Sequence, residues 1–106
     1  MINFEIEIEK IKEQIINKYK PDKIILFGSC ALNKQQEYSD IDIFIIKSSD
    51  KRFIDRTYEL LCMLDYDVPL DVVIYTPTEF EEALKDSSTF ANEIANKGVV
   101  LYERAS

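Results

Sequence analysis

Apolar positions along this chain recur at two different periods, and the switches between them mark out its elements. Phe4, Ile8, Ile11, Ile15 and Tyr19 fall three and four residues apart, with Glu, Lys and Asn between them. That stripe predicts an amphipathic helix of about four turns. Asn3 to Glu9 also alternate as a strand would, which leaves the start of the helix open. Pro21-Asp22 ends it. Lys23 to Phe27 is short and apolar enough for a strand buried on both faces. Gly28 to Ala31 turns into a short helix, and polar Asn33 to Ser39 reads as a loop. Ile41 to Lys47 is a second strand. Ser48, Ser49 and Asp50 then offer caps for a second long helix over about residues 50 to 65, where Ile54, Thr57, Tyr58, Leu61 and Leu64 keep helical spacing.

Asp65 to Pro69 connects to a third strand, Leu70 to Tyr75, with Asp71 near its start. Thr76-Pro77-Thr78-Glu79 has the form of a capping box with proline at the first helical position. Phe80 and Leu84 give that helix an inner face. Asp86-Ser87-Ser88 breaks it, and Phe90, Ala91, Ile94 and Ala95 resume the pattern. Gly98 is a natural stop, and Val99 to Tyr102 is a last short strand. Glu79, Glu81 and Glu82 read as a solvated face near a helix N-terminus. Helices alternating with few strands predict an α/β (α+β) fold, a small mixed β-sheet covered by helices. The 106 residues suit one domain spanning residues 1–106.

Composition narrows the chemistry. The net charge of −7 argues against a nucleic-acid groove, which gains its affinity by neutralising phosphates with basic side chains. It leaves room for a nucleotide whose phosphates are carried by metal ions. The chain has no histidine, so Ser-His-Asp and Cys-His catalysis and the usual histidine zinc sites are excluded. Cys30 and Cys62 are too few for a zinc cluster and read as reduced thiols. No apolar run approaches the ~18 residues that span a bilayer. The start of the chain lacks a basic leader, so the expected location is the cytoplasm.

One stretch carries the candidate chemistry: Leu26-Phe27-Gly28-Ser29, ten residues, then Asp40-Ile41-Asp42-Ile43. Side chains at i and i+2 of a strand share a face, so Asp40 and Asp42 sit about 7 Å apart along it. Two carboxylates that close repel unless a cation lies between them. Oxygen ligands without sulfur or imidazole favour a hard ion such as Mg²⁺. Gly28 permits a turn and a close ligand approach. Ser29 opens a short helix, where a hydroxyl and backbone N–H groups attract phosphate. If the strand at Asp71 pairs with the one at Asp40, three carboxylates meet at one edge of the sheet.

Gly28-Ser29, ten residues, Asp40-x-Asp42 resembles the G-S-x10-D-x-D pattern of the nucleotidyltransferase superfamily typified by DNA polymerase beta. The size, Leu70-Asp71-Val72-Val73 and the closing Gly98-Val99-Val100-Leu101-Tyr102-Glu103 resemble its minimal nucleotidyltransferase subfamily. The resemblance implies a mixed sheet with the active site at one edge, two Mg²⁺ ions as cofactors and ATP as substrate. It implies transfer of AMP with loss of pyrophosphate. Asp40, Asp42 and Asp71 would be the catalytic, metal-binding residues, and Gly28 and Ser29 the nucleotide-binding ones. Many members of the subfamily pair with a HEPN-domain ribonuclease toxin and silence it by attaching AMP to a tyrosine. The expected role is therefore an antitoxin with a HEPN partner, possible as a hetero-oligomer, with no direct nucleic acid and no membrane. Many relatives carry arginine after Gly-Ser and an Arg-Gly pair shortly after; here those places hold Cys30, Leu32 and Asn33, and Lys34 could substitute. Two alternatives follow: a non-catalytic module that neutralises a HEPN partner by contact, and nucleotidyl transfer to a small-molecule hydroxyl.

Overall fold

The computed structural model describes residues 3–31, 40–86 and 89–105. Helix α1 (Phe4–Tyr19) starts at Asn3, whose side-chain oxygen accepts from the Ile6 N–H at 3.2 Å. That cap settles residues 3–9 as helix over strand. Lys20 closes α1 in the left-handed conformation (φ 56°, ψ 58°), its N–H donating to the Ile15 carbonyl. Then follow β1 (Lys23–Phe27), α2 (Gly28–Ala31), β2 (Ile41–Ile46), α3 (Phe53–Met63), β3 (Leu70–Tyr75), α4 (Pro77–Lys85), α5 (Thr89–Lys97) and β4 (Val99–Glu103). The loop predicted over Asn33 to Ser39, Lys34, and the break at Ser87-Ser88 lie outside the described residues.

Two local expectations are corrected. α3 is shorter than residues 50 to 65, and its N-cap position is Arg52, with no side-chain cap. The Ser49 hydroxyl instead accepts from the Lys51 N–H at 3.1 Å, so it serves the turn before the helix. Glu79 is also more than a solvated residue. It completes the predicted capping box with Thr76. Its two carboxylate oxygens also accept from Arg56 at 2.7 and 3.0 Å. Arg56 is buried on α3 and donates further to the carbonyls of Lys51 and Ile74. This cation ties α3, β3 and α4 together.

The sheet has four strands in the order β3-β2-β1-β4. β1 runs antiparallel to β2 and β4, while β2 and β3 are parallel. Alternation sends Ile24, Leu26, Ile41, Ile43, Ile45, Val72 and Ile74 into a core under α1 and α3. Ile25, Phe44 and Ile46 face a second core with Ile94 of α5, against which Phe27, Val73, Tyr75 and Phe80 pack. Both faces of the sheet are thus covered. Among the described residues, no helix is long and apolar enough to cross a membrane.

Candidate active site

β2 is buried at every position except Asp42, which is only partly covered. A carboxylate in an otherwise apolar central strand needs a reason, and its neighbours supply one. The register sets Asp42 beside Phe27 on one side and Asp71 on the other. Alternation places Asp42 on the same face as Phe44, and Asp71 on the same face as Val73. The two carboxylates therefore meet on the α4–α5 face. Because β2 and β3 are parallel, both lie at the start of their strands, where the Ile41 N–H donates to the Pro69 carbonyl at 2.9 Å.

Burial pushes the Asp42 carboxyl up to about 6 from the ordinary 3.8. The charge of Asp71, a hydrogen bond shared with Asp71, and the charge of Asp40 push it the same way. Asp40 is exposed just ahead of β2. Its carbonyl accepts from the Cys30 thiol at 3.7 Å, which ties α2 to the entrance of β2. Among the described residues, no three acidic or thiol groups gather into a ready-made cation cage. The structure brings Asp42 and Asp71 together, and Asp40 acts on the pair through its charge.

Gly28 completes the arrangement. It sits at φ 75°, a region that other residues resist, and a Cβ built there would strike the Asp42 carboxylate Oδ2. Any other residue here would be strained and would have to displace this acid, and the bare backbone leaves a ligand free to approach. Gly28 and Ser29 both lie in α2. The Ser29 side chain falls outside what the structure describes. Gly28 also lines an apolar recess of about 150 Å³, with Phe27, Phe90, Glu93, Ile94, Lys97 and Gly98.

An all-oxygen donor set with repelling charges fits a hard divalent cation. Binding a proton or a cation relieves the repulsion, and burial together with the Asp71 charge raises the Asp42 carboxyl accordingly. Neither cysteine is in a disulfide. Arg56 escaped sequence reading. Its one signal is position, since it shares the inner face of α3 with Leu60 four residues on.

The chain matches the polymerase beta nucleotidyltransferase family over residues 9–106. Two proteins of Methanocaldococcus jannaschii, each named as a candidate protein adenylyltransferase, are similar along nearly their whole lengths. One is 31% identical over 94 residues, covering 87% of this chain and 92% of the relative. The other is 34% identical over 104 residues, covering 95% of this chain and all of the relative. The crystal structure of a candidate nucleotidyltransferase from Sulfolobus solfataricus has the same fold. It superposes with a TM-score of 0.61 at 20% identity, covering 95% of this chain and 86% of that one. The expected mixed sheet is observed, and this chain belongs to the polymerase beta nucleotidyltransferases.

Proposed function

We propose that this nucleotidyltransferase moves AMP from ATP to a tyrosine hydroxyl of a HEPN-type ribonuclease toxin, and so acts as its antitoxin. The observation that carries the reading is the Asp42–Asp71 pair, held in register on parallel strands beside a glycine that leaves the acid uncovered. The names of the two archaeal relatives support a protein acceptor. Asp40, Asp42 and Asp71 would hold two Mg²⁺ ions. Once bound, such ions offset phosphate charge and stabilise the entering and leaving oxygens of an in-line displacement.

The chain's own residues do the rest. Gly28 lets the phosphates come against the backbone, and Ser29 follows it in α2 as a second phosphate-binding residue. Asp71 is the more exposed acid of the pair, so it can reach the acceptor and take its proton. The tyrosine oxygen then bonds to the α-phosphorus as the bond to pyrophosphate breaks. Positioning and charge supply most of the rate.

The test is transfer of label from ATP, with Mg²⁺, to a HEPN protein encoded beside this chain. Label on a tyrosine, lost in Asp42→Asn, is the expected result. No label, or equal label with Asp42→Asn, would refute it. A second reading, neutralisation by contact alone, is favoured by Cys30, which stands in α2 where many relatives carry arginine. It predicts that Asp40→Asn/Asp42→Asn protein still silences the partner.

A further inference from the structure

We infer that the recess beside Gly28 receives the purine base of the nucleotide, with Phe27 and Phe90 as its aromatic wall and Glu93 and Lys97 as its hydrogen-bonding rim. The inference rests on the reading of Asp42 and Asp71 as the transfer site and adds where the base lies.

Position is the first ground. Gly28 lines the recess and also touches Asp42, so the two sites share a wall. Both lie on the α4–α5 face, since Phe27 packs against the core that holds Phe44 and Ile94. A nucleotide with its phosphates at the carboxylates has its base within reach of this recess.

Size is the second. Pockets that enclose a whole drug-sized ligand run to roughly 300–1,000 Å³. This one holds about 150 Å³. It suits one flat ring system, with sugar and phosphates left outside. A two-ring purine fills such a recess better than a pyrimidine does.

Chemistry is the third. Phe90 meets Phe27 edge to face at 5.7 Å and also packs on Phe44 and Tyr75. It still keeps 36% of its surface exposed. Its ring is packed against other aromatic rings yet partly open, as a stacking platform needs. Buried Ile94 gives an apolar floor. Gly98 lets the start of β4 close against Ile25 and the Ile94 carbonyl, which shapes that floor. Glu93 and Lys97 stand one turn apart on α5, loosely paired at 4.0 Å and largely exposed. Together they present an acceptor beside a donor, the complement of the adjacent donor and acceptor on a purine edge.

Calorimetry on the full chain tests the inference. The titrants are Mg²⁺ with ATP, GTP, CTP, UTP or tripolyphosphate. One purine nucleotide should bind at least about tenfold tighter than tripolyphosphate, the scale of one base–aromatic contact, and tighter than either pyrimidine nucleotide. ATP should be that purine nucleotide, and a win by GTP would keep the pocket but overturn ATP as the donor. Phe90→Leu should erase most of that advantage and leave tripolyphosphate unchanged. Lys97→Glu, at an exposed position, should shift the purine preference even if Phe90→Leu fails to fold. Equal affinities for all five titrants would overturn the pocket, as would both variants leaving the preference intact. So would variants that spare nucleotide affinity and raise the KM for the tyrosine acceptor, since the recess would then take the acceptor ring. No heat from any nucleotide with folded wild-type protein would defeat the transfer site itself, and the pocket with it.

Discussion

Replacing Asp42 by Asn should make the protein more stable without divalent cations, and deaf to them. Asp42 is raised from 3.8 to about 6 in the folded chain, by burial first and by Asp71 next. Each pKa unit is worth about 1.4 kcal/mol, so at neutral pH the ionised acid costs about 3 kcal/mol before solvent screening. Coulomb's law leads to the same order. Facing residues on neighbouring strands lie ~5 Å apart, and two charges at that distance repel by about 3 kcal/mol at an effective dielectric of ~20. Asp42 is partly open and Asp71 exposed, so water reduces the penalty to about 1–2 kcal/mol. The sign follows from proton counts. Between the unfolded and folded values the native state holds a proton that the unfolded chain has released. Stability therefore falls as pH rises from about 4 to about 6, and the penalty stays constant above. Asn carries no such penalty. Thermal melts in EDTA should show Asp42→Asn matching wild type near pH 4 and exceeding it by about 5–10 °C from pH 6 upward. Excess Mg²⁺ should raise the wild-type midpoint by mass action and leave the variant unmoved. An Asn variant that melts at or below wild type at neutral pH, or a gap that ignores pH, would refute the account of the pair.

Gly28→Ala should cost about 2 kcal/mol or more, because it combines a left-handed backbone with a clash on Asp42. It should also abolish the heat of Mg²⁺-nucleotide binding. Glu79→Ala should cost about 2–3 kcal/mol in urea unfolding. It strands the buried Arg56 cation and removes a cap, while the half-exposed carboxylate keeps the loss below that of a fully buried pair. The Arg56 hydrogen bond holds the Glu79 carboxyl below its ordinary value. Its contribution is thus present above about pH 4.5 and lost as pH falls through the lowered value, and Glu79→Gln should flatten that acid limb.

Most elements were legible from the period of their apolar positions, although Ile54 and Tyr58 of the α3 stripe are exposed and Arg56 and Leu60 are buried in their place. Ile24 to Phe27 and Ile41 to Ile46 read as strands, and the Thr76 capping box forms as its spacing predicts. What escaped was whatever depends on distant partners. Ser49 looked like a cap for α3, yet its hydroxyl has a nearer donor in Lys51. Arg56 went unread, because its partner Glu79 lies on another helix. The recess joins Phe27 and Gly28 to a helix some sixty residues later, and Phe90 alone reads as an inner-face residue.

The carboxylate pair lies between these extremes. Asp42 and Asp71 each stand near the start of a strand. Were β2 and β3 joined as an antiparallel hairpin, their starts would lie at opposite ends of the sheet and the acids would be far apart. A hairpin needs only a few residues, whereas parallel strands need a crossover of a dozen or more. Ile46 and Leu70 are separated by residues 47–69, which contain α3. That segment fits a crossover and makes a tight hairpin implausible. The length and helical pattern of α3 thus encode the meeting of Asp42 and Asp71 as surely as the acids themselves. The antiparallel pairing of β1 with β2 brings Phe27 beside Asp42, with Gly28 next in the chain, at the same end of the sheet. The site is a consequence of strand direction, and each direction follows from the length and composition of the segment that joins the strands.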